Sequence, residues 1–509
     1  MSVTAERRGR TAGTATVTRA TTAPARRYRP VVAVAVVLAA VNAFVRLGSN
    51  SVARDEGFSI STSVRSWSSF VHLTLHTETN AWLYATALKV WSVLGTGAGL
   101  LRVPSAAAFV ITVPLVADLG RRLFDRRHGA IAAVLVAVNG SLLMFAQQIR
   151  GYAFAVAFAV GATIAFVADV RKPSRTALAL WVTLVVAASS CQLHTVTIVL
   201  PHLASLFVLP AADRRWRRRI GGLAVAALVV VPIAIAVSSH EEGQGLFSIR
   251  LGVFRDVLYT FSGRGGVIGV VAYAAAVVAL IGMVRRTKGV SVERRFALVL
   301  LATWITLPFM LLLAGSFVQP TLIGRYLLFC VPAMTFAMAL LIGRLSEVTD
   351  SRRPLAIAAI LALGVGAASG SVNWHRDSRT ERWDAVAGYV FDNARADDRL
   401  VVANDSVRLF FEYERTRRAA TPAGPEPAYP ADAWGTYETG DQRYRSPSDD
   451  ELASIAAGPG RIWIVVGHKH VDTDAMAERM RTLEPAYHVV EHRAFAVNID
   501  VYLYERSTS

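Results

Sequence analysis

The sequence predicts a polytopic, all-α membrane protein of about 11 transmembrane helices, followed by a small C-terminal extracytoplasmic α/β domain. Two observations predict this class. Of the 509 residues, 53% are apolar and only 18% are charged, whereas soluble proteins carry roughly 25% charged residues. Between residues 31 and 373 the apolar residues form runs of about 15 to 20, separated by short basic clusters. Such runs are typical of multi-pass membrane proteins.

The N-terminal residues 1–30 are predicted to form a disordered, basic cytosolic arm. They hold seven Arg and one acidic residue among Ser, Thr and Ala, without the apolar periodicity of a packed helix. The apolar run that follows leads into more membrane protein, so we interpret it as an uncleaved first span and not as a signal peptide. The two cysteines, Cys191 and Cys330, lie in or beside apolar runs, which favours buried thiols over a disulfide.

The transmembrane module is predicted over residues 31–373. With the N-terminus inside, its six cytosolic segments hold 27 Lys and Arg in about 79 residues, and its five external loops hold 10 in about 104. The positive-inside rule therefore fixes the orientation and places residues 374–509 outside the cell membrane. The predicted spans lie near residues 31–45, 103–119, 130–146, 152–169, 177–190, 195–210, 220–237, 266–284, 296–315, 326–342 and 355–373.

The first external loop, residues 46–102, is long. Its apolar stretch 81–94 contains Lys89 and three aromatic residues, so we expect a helix that lies in the membrane interface and not a twelfth span. Because residues 374–509 carry a net charge of −6, the basic residues that give the whole chain its +17 belong to the membrane part. They form no single stripe, which excludes a nucleic-acid partner.

The tail, residues 374–509, is predicted to be a separate α/β domain. Its apolar periodicity changes from helical to alternating along the chain. A loop that contains Pro and Gly is expected over residues 421–450. Helices are expected over residues 383–394 and 472–483, and strands over residues 399–403, 461–466, 488–490 and 499–504.

Two adjacent carboxylates, Asp55 and Glu56, follow the end of the first predicted span. Adjacent residues on a helix face different directions, so one carboxylate can face a reacting hydroxyl while the other is held by a hydrogen bond or a metal. With Glu78 they would offer oxygen ligands suited to a hard divalent cation. A solvated loop pair, and an interface anchor without metal, are the plainer alternatives.

Further polar side chains gather at the predicted external ends of other spans. An Arg at such a position suits phosphate recognition, although interfacial Arg and Tyr also serve as ordinary membrane anchors. No nucleotide-binding, zinc-protease or serine-hydrolase motif is present, and no span carries an ionisable residue near its middle. The side chains concerned are Asn80, Tyr84, Gln148, Arg150, Tyr152, His194, Arg325 and Tyr326.

An ordered set of motifs resembles the C-type (GT-C) membrane glycosyltransferases, in particular the family-39, protein-mannosyltransferase-like group. The similarity extends over about residues 50–375. Gln148 stands where that group often has Glu. The matching motifs are Asp55-Glu56, Glu78-x-Asn80-x-x-Leu83-Tyr84, Leu101-Arg102-Val103-Pro104-Ser105, Gly120-Arg121-Arg122-Leu123-Phe124, Ala146-Gln147-Gln148-Ile149-Arg150-Gly151-Tyr152 and Arg325-Tyr326-Leu327.

The resemblance implies a polyprenyl-phosphate sugar donor, transfer on the outer face of the cytoplasmic membrane to a glycan, lipid or protein acceptor of the cell envelope, and inversion at the anomeric carbon. The sugar would be a hexose or a pentose. Asp55 would be the general base, with Glu56 beside it in the catalytic loop. Arg150 and Arg325 would stabilise the departing phosphate, and Glu78, Asn80 and His194 would orient the acceptor, the sugar or a divalent cation.

Two other functions fit a chain with many spans and a polar outer cleft. One is a flippase or exporter of lipid-linked glycans, which would move the sugar without forming a glycosidic bond. The other is a non-catalytic assembly protein of the cell envelope, whose external tail would bind a partner.

Overall fold

The computed structural model describes residues 23–76, 79–240, 251–286, 289–318, 321–376, 381–403, 405–418, 425–429, 447–467, 473–495 and 499–507. Helices of the N-terminal part are α1 (Ala23–Phe44), α2 (Arg54–Val64), α3 (Trp67–His76), α4 (Trp82–Trp91), α5 (Ala98–Leu123), α6 (Arg126–Ala137), α7 (Gly140–Ala146), α8 (Tyr152–Arg171), α9 (Arg175–Cys191), α10 (Val199–Leu206), α11 (Trp216–His240), α12 (Leu251–Phe261), α13 (Gly266–Arg285), α14 (Val292–Gly315), α15 (Val331–Leu345) and α16 (Arg353–Arg376). Short 3-10 helices cover Thr79–Ala81, Ser92–Leu94, Leu193–Ile198, Ala211–Asp213 and Gly324–Cys330.

Within the described ranges, seven helices are long and apolar enough to cross a membrane, and α6 with α7, bent by 56°, makes an eighth if the pair is one span. Three further apolar helices are shorter, at Tyr28–Phe44, Arg175–Cys191 and Leu193–Leu206. Each of the eleven predicted spans overlaps one of these segments. How many of them cross the membrane, and in which direction, stays a prediction.

Polar side chains begin several of these helices. Asp125, Ser174 and Ser291 each accept a hydrogen bond from the backbone N–H three residues later, at the first turns of α6, α9 and α14. Such caps satisfy N–H groups that the helix itself leaves unpaired. All three stand in the basic connections that the charge pattern places in the cytosol.

The beginning of α1 differs from the prediction. The helix starts at Ala23, so residues 23–30 are helical and not part of a disordered arm. The hydropathy pattern gives no signal there, but Ala and Arg are good helix formers and extend the apolar helix backwards. Residues 1–22 of the predicted arm lie outside the described residues.

Close backbone contacts between glycines hold part of the bundle together. A Cβ on Gly370 of α16 would lie 1.7 Å from the carbonyl oxygen of Gly263, and one on Gly140 of α7 would lie 2.3 Å from the carbonyl carbon of Gly370. Small residues permit this kind of close packing between membrane helices. The connection after α12 is thereby fixed between α7 and α16.

The C-terminal part is an α/β domain, as predicted. Its helices are α17 (Trp383–Asn393), α18 (Asp405–Arg417), α19 (Asp449–Ala457) and α20 (Thr473–Met480), with a 3-10 turn at Arg481–Leu483. Its strands β1 (Arg399–Val402), β2 (Glu426–Tyr429), β3 (Ile462–Gly467), β4 (Tyr487–Phe495) and β5 (Ile499–Arg506) form one sheet in the order β2-β1-β3-β5-β4. β1 is parallel to β2 and β3, and β5 is antiparallel to β3 and β4.

The domain packs directly on the loop that follows α1. Phe410 of α18 lies against Gly57 of α2, where a Cβ would be 3.3 Å from the Phe410 ring. The Ala98 N–H donates a hydrogen bond of 2.9 Å to the Tyr413 hydroxyl. Apolar side chains of the domain and of the loop therefore share one continuous hydrophobic cluster.

Candidate active site

Helix α2 separates its two carboxylates by helical geometry. Asp55, Ser59 and Thr62 follow the i, i+4, i+7 spacing of one helix face, and the next face, which begins with Glu56 and Ile60, is buried. The Asp55 side chain is 37% exposed and the Glu56 side chain 2% exposed. The two neighbours therefore occupy different environments.

Glu56 is held by four hydrogen bonds. Its Oε1 accepts from Arg102 Nε at 2.8 Å and from the Ile149 backbone N–H at 2.9 Å. Its Oε2 accepts from Arg102 Nη2 and from the Ala53 backbone N–H, both at 2.8 Å. This bidentate pair with a guanidinium is the strong form of a buried ion pair. The Glu56 carboxylate thereby joins α2, the start of α5 and the connection between α7 and α8.

Arg102 also holds the chain between α1 and α2. Its Nη1 donates to the carbonyl oxygens of Leu47 at 2.9 Å and Asn50 at 3.0 Å, and its Nη2 donates to that of Ser51 at 3.0 Å. The guanidinium is 1% exposed. The Glu56–Arg102 pair thus fixes the backbone on both sides of Asp55.

Asp55 faces two arginines from distant parts of the chain. Its Oδ2 lies 3.1 Å from Arg325 Nη1, at the start of the 3-10 helix before α15. Arg150 Nη1 donates to the Asp55 carbonyl oxygen at 3.2 Å and to the Ser59 hydroxyl at 3.4 Å. The structure therefore brings together Asp55, Arg150 and Arg325, which the sequence placed at three separate span ends.

A pocket opens beside this group. Asn80, Tyr84, Arg150, Tyr152 and Tyr326, all singled out in the sequence, contribute to its wall. Amide, hydroxyl and aromatic groups predominate, a combination that binds polar ligands through hydrogen bonds and ring faces. The remaining wall is formed by Ser59, Thr62, Ala81, Ala85, Leu88, Gly151, Cys191 and Gln192.

Two wall residues have fixed environments. Burial raises the pKa of the Tyr84 phenol well above its ordinary value, so the group stays protonated and can donate a hydrogen bond. The ring of Tyr326 stacks on His194, with centroids 4.3 Å apart and planes inclined by 10°. The His194 Nδ1 lies 3.3 Å from Gln192 Nε2. His194 therefore meets the pocket through Tyr326 and Gln192.

Asp55 and Arg325 lie beside the pocket and are not among its lining residues, and two further predicted site residues, Gln148 and Glu78, remain. Gln148 is half-buried in the connection between α7 and α8 and does not line the pocket. Glu78 lies outside the described residues. Among the residues that the structure does describe, no group of three His, Cys, Asp or Glu could hold a metal ion.

The predicted interfacial segment forms helix α4 and the 3-10 turn Ser92–Leu94. Its Lys89 is buried, and the ammonium group donates to the carbonyl oxygens of Ser63 at 3.1 Å and of Arg65. Desolvation lowers the pKa of this lysine. Lys89 thus attaches α4 to the end of α2, a role that its position in an apolar run did not indicate.

Sequence reasoning also missed the polar face of α2. Ser59 and Thr62 line the pocket, and their spacing from Asp55 is a signal that was available. The motif that contains Arg102 does not predict this contact, although an arginine in the first turns of a long apolar helix is itself unusual. Its partner Glu56 is 46 residues away, and no local pattern joins the two.

Compared as a sequence, the chain matches no protein-family profile and no curated protein. Its structure is similar to solved structures of membrane transferases. ArnT from Cupriavidus metallidurans in the apo state gives a TM-score of 0.57 at 13% identity, over 95% of this chain and 98% of ArnT. ArnT bound to undecaprenyl phosphate gives 0.53 at 13% identity, over 94% and 98%.

A third similar structure comes from an archaeon. The oligosaccharyltransferase AglB from Archaeoglobus fulgidus, in complex with an inhibitory peptide and a dolichol-phosphate, gives a TM-score of 0.53 at 12% identity, over 96% of this chain and 75% of AglB. The chain therefore has the fold of the C-type membrane glycosyltransferases. The predicted fold class is confirmed, and the fold together with the apolar helices indicates a membrane protein. Identities this low establish a shared fold and no shared substrate.

Proposed function

We propose that this protein is an integral membrane glycosyltransferase that transfers a sugar from a polyprenyl-phosphate donor to an acceptor of the cell envelope. The observation that carries this proposal is the position of Asp55. Its half-exposed carboxylate stands opposite Arg325, close to Arg150 and beside a pocket of hydroxyl, amide and aromatic groups. A base, two cations and a pocket lined by hydroxyl, amide and aromatic groups supply what such a transfer needs.

In the proposed reaction Asp55 accepts the proton of the acceptor hydroxyl. The acceptor oxygen attacks the anomeric carbon from the face opposite the phosphate, a C–O bond forms, and the bond between that carbon and the phosphate oxygen breaks. The configuration at the anomeric carbon is inverted. The lipid phosphate leaves with its electron pair and gains negative charge, which guanidinium groups aimed at it stabilise.

Arg325 and Arg150 are the groups that would bind this phosphate. A guanidinium presents planar, paired donors that match phosphate oxygens. Arg325 already faces an anion, the Asp55 carboxylate, at 3.1 Å. An incoming phosphate would compete with Asp55 for this guanidinium and leave the carboxylate free to accept a proton.

A lipid-linked donor is supported by the carriers seen in the similar structures, undecaprenyl phosphate with ArnT and a dolichol-phosphate with AglB. For this chain we propose the same chemical class, with a hexose or a pentose as the transferred sugar. The charge pattern supports an orientation with the N-terminus in the cytosol and with α2, the pocket and the α/β domain outside.

The experiment that tests the function follows a labelled sugar. Purified protein in vesicles receives a polyprenyl-phosphate sugar labelled at the anomeric carbon, together with envelope extract as acceptor. We expect a new glycosidic bond with inverted anomeric configuration, read by NMR of the product. Labelled donor that crosses the bilayer without forming a glycosidic bond would indicate a flippase. If the donor neither reacts nor crosses the bilayer, the result would favour an assembly protein.

A further inference from the structure

Arg325 stands on a short, irregular part of the backbone. It is the second residue of the 3-10 helix Gly324–Cys330, which precedes α15. A 3-10 turn has weaker hydrogen-bond geometry than an α-helix. A guanidinium carried on such a turn keeps its place only if other groups hold the backbone.

Helix α12 supplies such a group. Asp256 Oδ2 accepts a hydrogen bond of 2.8 Å from the Gly324 backbone N–H, 68 residues away in the chain. Its other oxygen, Oδ1, lies 3.6 Å from Arg264 Nη2. The Asp256 carboxylate is therefore oriented by a cation on one side and bound to the residue before Arg325 on the other.

The absence of a side chain at Gly324 makes this contact possible. A Cβ there would lie 2.5 Å from Thr260 Oγ1 and 2.6 Å from Asp256 Oδ2, both too short for ordinary contacts. Thr260 and Asp256 stand one helical turn apart on α12. Asp256 accepts the hydrogen bond from the Gly324 N–H, and Thr260 lies against Gly324 without such a bond. The next residue is Arg325, whose guanidinium group contacts the Asp55 carboxylate.

We propose that Asp256 is a positioning residue for Arg325 and thereby sets the affinity of the site for the carrier phosphate. This inference rests on the proposed function, in which Arg325 binds that phosphate. Asp256 touches neither the donor nor the acceptor. It acts through the Gly324 backbone, which keeps the guanidinium directed towards Asp55 and the pocket.

The test compares four variants in detergent-solubilised, full-length protein. Asp256→Ala removes the acceptor of the Gly324 N–H, and Asp256→Asn keeps an oxygen that can accept it. Gly324→Ala displaces the backbone while leaving the carboxylate intact. Arg255→Ala, an exposed neighbour on the same helix, is the control. The measurements are the KM for a polyprenyl-phosphate sugar, kcat, and the affinity for sugar-free polyprenyl phosphate measured directly by binding.

We expect Asp256→Ala and Gly324→Ala to raise the donor KM at least about fivefold and to weaken carrier binding equally, and to lower kcat as well, because Arg325 also stabilises the charge of the departing phosphate. Asp256→Asn and Arg255→Ala should stay near the wild-type values. The inference is overturned if carrier affinity is unchanged in both Asp256→Ala and Gly324→Ala. It is also overturned if Asp256→Asn weakens carrier binding as much as Asp256→Ala does. A wild-type protein that binds the carrier but transfers no sugar contradicts the proposed function instead, and the binding comparison then still decides the role of Asp256.

Discussion

At the scale of single residues, two neighbouring carboxylates occupy separate environments. Glu56 is buried and saturated with hydrogen bonds, whereas Asp55 is half-exposed and faces Arg325. The helical rotation between consecutive residues, about 100°, is enough to produce this difference. The sequence indicates that one carboxylate can be buried while its neighbour is exposed. Only the contact with Arg102 decides which of the two is bound by hydrogen bonds.

We expect Glu56→Ala to destabilise the protein far more than a substitution at Asp55. Removing one partner of a buried ion pair leaves the other charge unpaired, at a cost of about 3–5 kcal/mol. Thermal unfolding in detergent measures the difference, with Asp55→Asn as the matched variant. Equal melting temperatures for Glu56→Ala and the wild type would show that the pair does not hold the loop.

A second buried carboxylate gives the α/β domain a pH dependence. Burial acts to raise the pKa of Asp398, but hydrogen bonds from Arg461, the Arg395 backbone N–H and Trp463 outweigh it, so the pKa lies below the ordinary value. A carboxyl with a lowered folded-state pKa contributes stability above the pKa of the unfolded chain, near ~4, and this stability is lost as the pH falls through the folded pKa.

Asp398→Asn should therefore lower the free energy of unfolding at pH 7 by about 3 kcal/mol, and the difference from the wild type should shrink as the pH falls below ~4. Denaturant unfolding of the wild type and the variant, followed by tryptophan fluorescence between pH 3 and pH 7, measures both. A difference that stays constant across this range would contradict the role given to the Asp398 carboxylate.

At the scale of elements, glycine contacts set the spacing of α7, α16 and the connection after α12. A Cβ on Gly370 would collide with the Gly263 carbonyl oxygen, whereas nothing lies within 4 Å of a Cβ on Gly364 of the same helix. Gly370→Ala should therefore destabilise the fold by at least about 1–3 kcal/mol. Gly364→Ala should be neutral or slightly stabilising, since Ala favours helix. Similar melting temperatures for the two variants would argue against the close approach.

The same scale shows what the sequence could and could not predict. Spans and most strands have local patterns, so hydropathy and alternation place them well. Helices α12 and α18 were missed because α12 follows a polar connection and α18 is highly charged, and both are set by what they pack against. The contacts of Asp256 with Gly324 and of Glu56 with Arg102 cross 68 and 46 residues, and no pattern within one element contains them.

At the scale of the whole molecule, the α/β domain is part of the support for the site. Its helix α18 lies on α2, and the Asp384 backbone N–H donates to the Ser51 hydroxyl at 3.2 Å. The loop that presents Asp55 is therefore held from the bundle side by Arg102 and from the domain side by α18. Apolar side chains of the domain and of the loop pack in one hydrophobic cluster.

Phe410→Ala tests this coupling. Phe410 is 1% exposed, and emptying such a site typically costs about 3–5 kcal/mol. Because the cavity would open against Gly57, next to Glu56, we expect sugar transfer to fall together with stability. The matched control is Tyr504→Ala, a buried aromatic on β5 that belongs to a second hydrophobic cluster without any residue of α2. Full transfer activity in Phe410→Ala would show that the domain does not support α2.

The most direct test of the central claim is the turnover of Asp55→Asn. Without a general base we expect kcat to fall at least about 100-fold, while the affinity for polyprenyl phosphate stays equal or increases, because Arg325 loses its competing anion. The melting temperature should change little, since a half-exposed ion pair contributes little to stability. The control is Asp392→Asn, an exposed carboxylate also paired with an arginine, Arg418. Transfer by Asp55→Asn within about threefold of the wild type would contradict the role of Asp55 as the base.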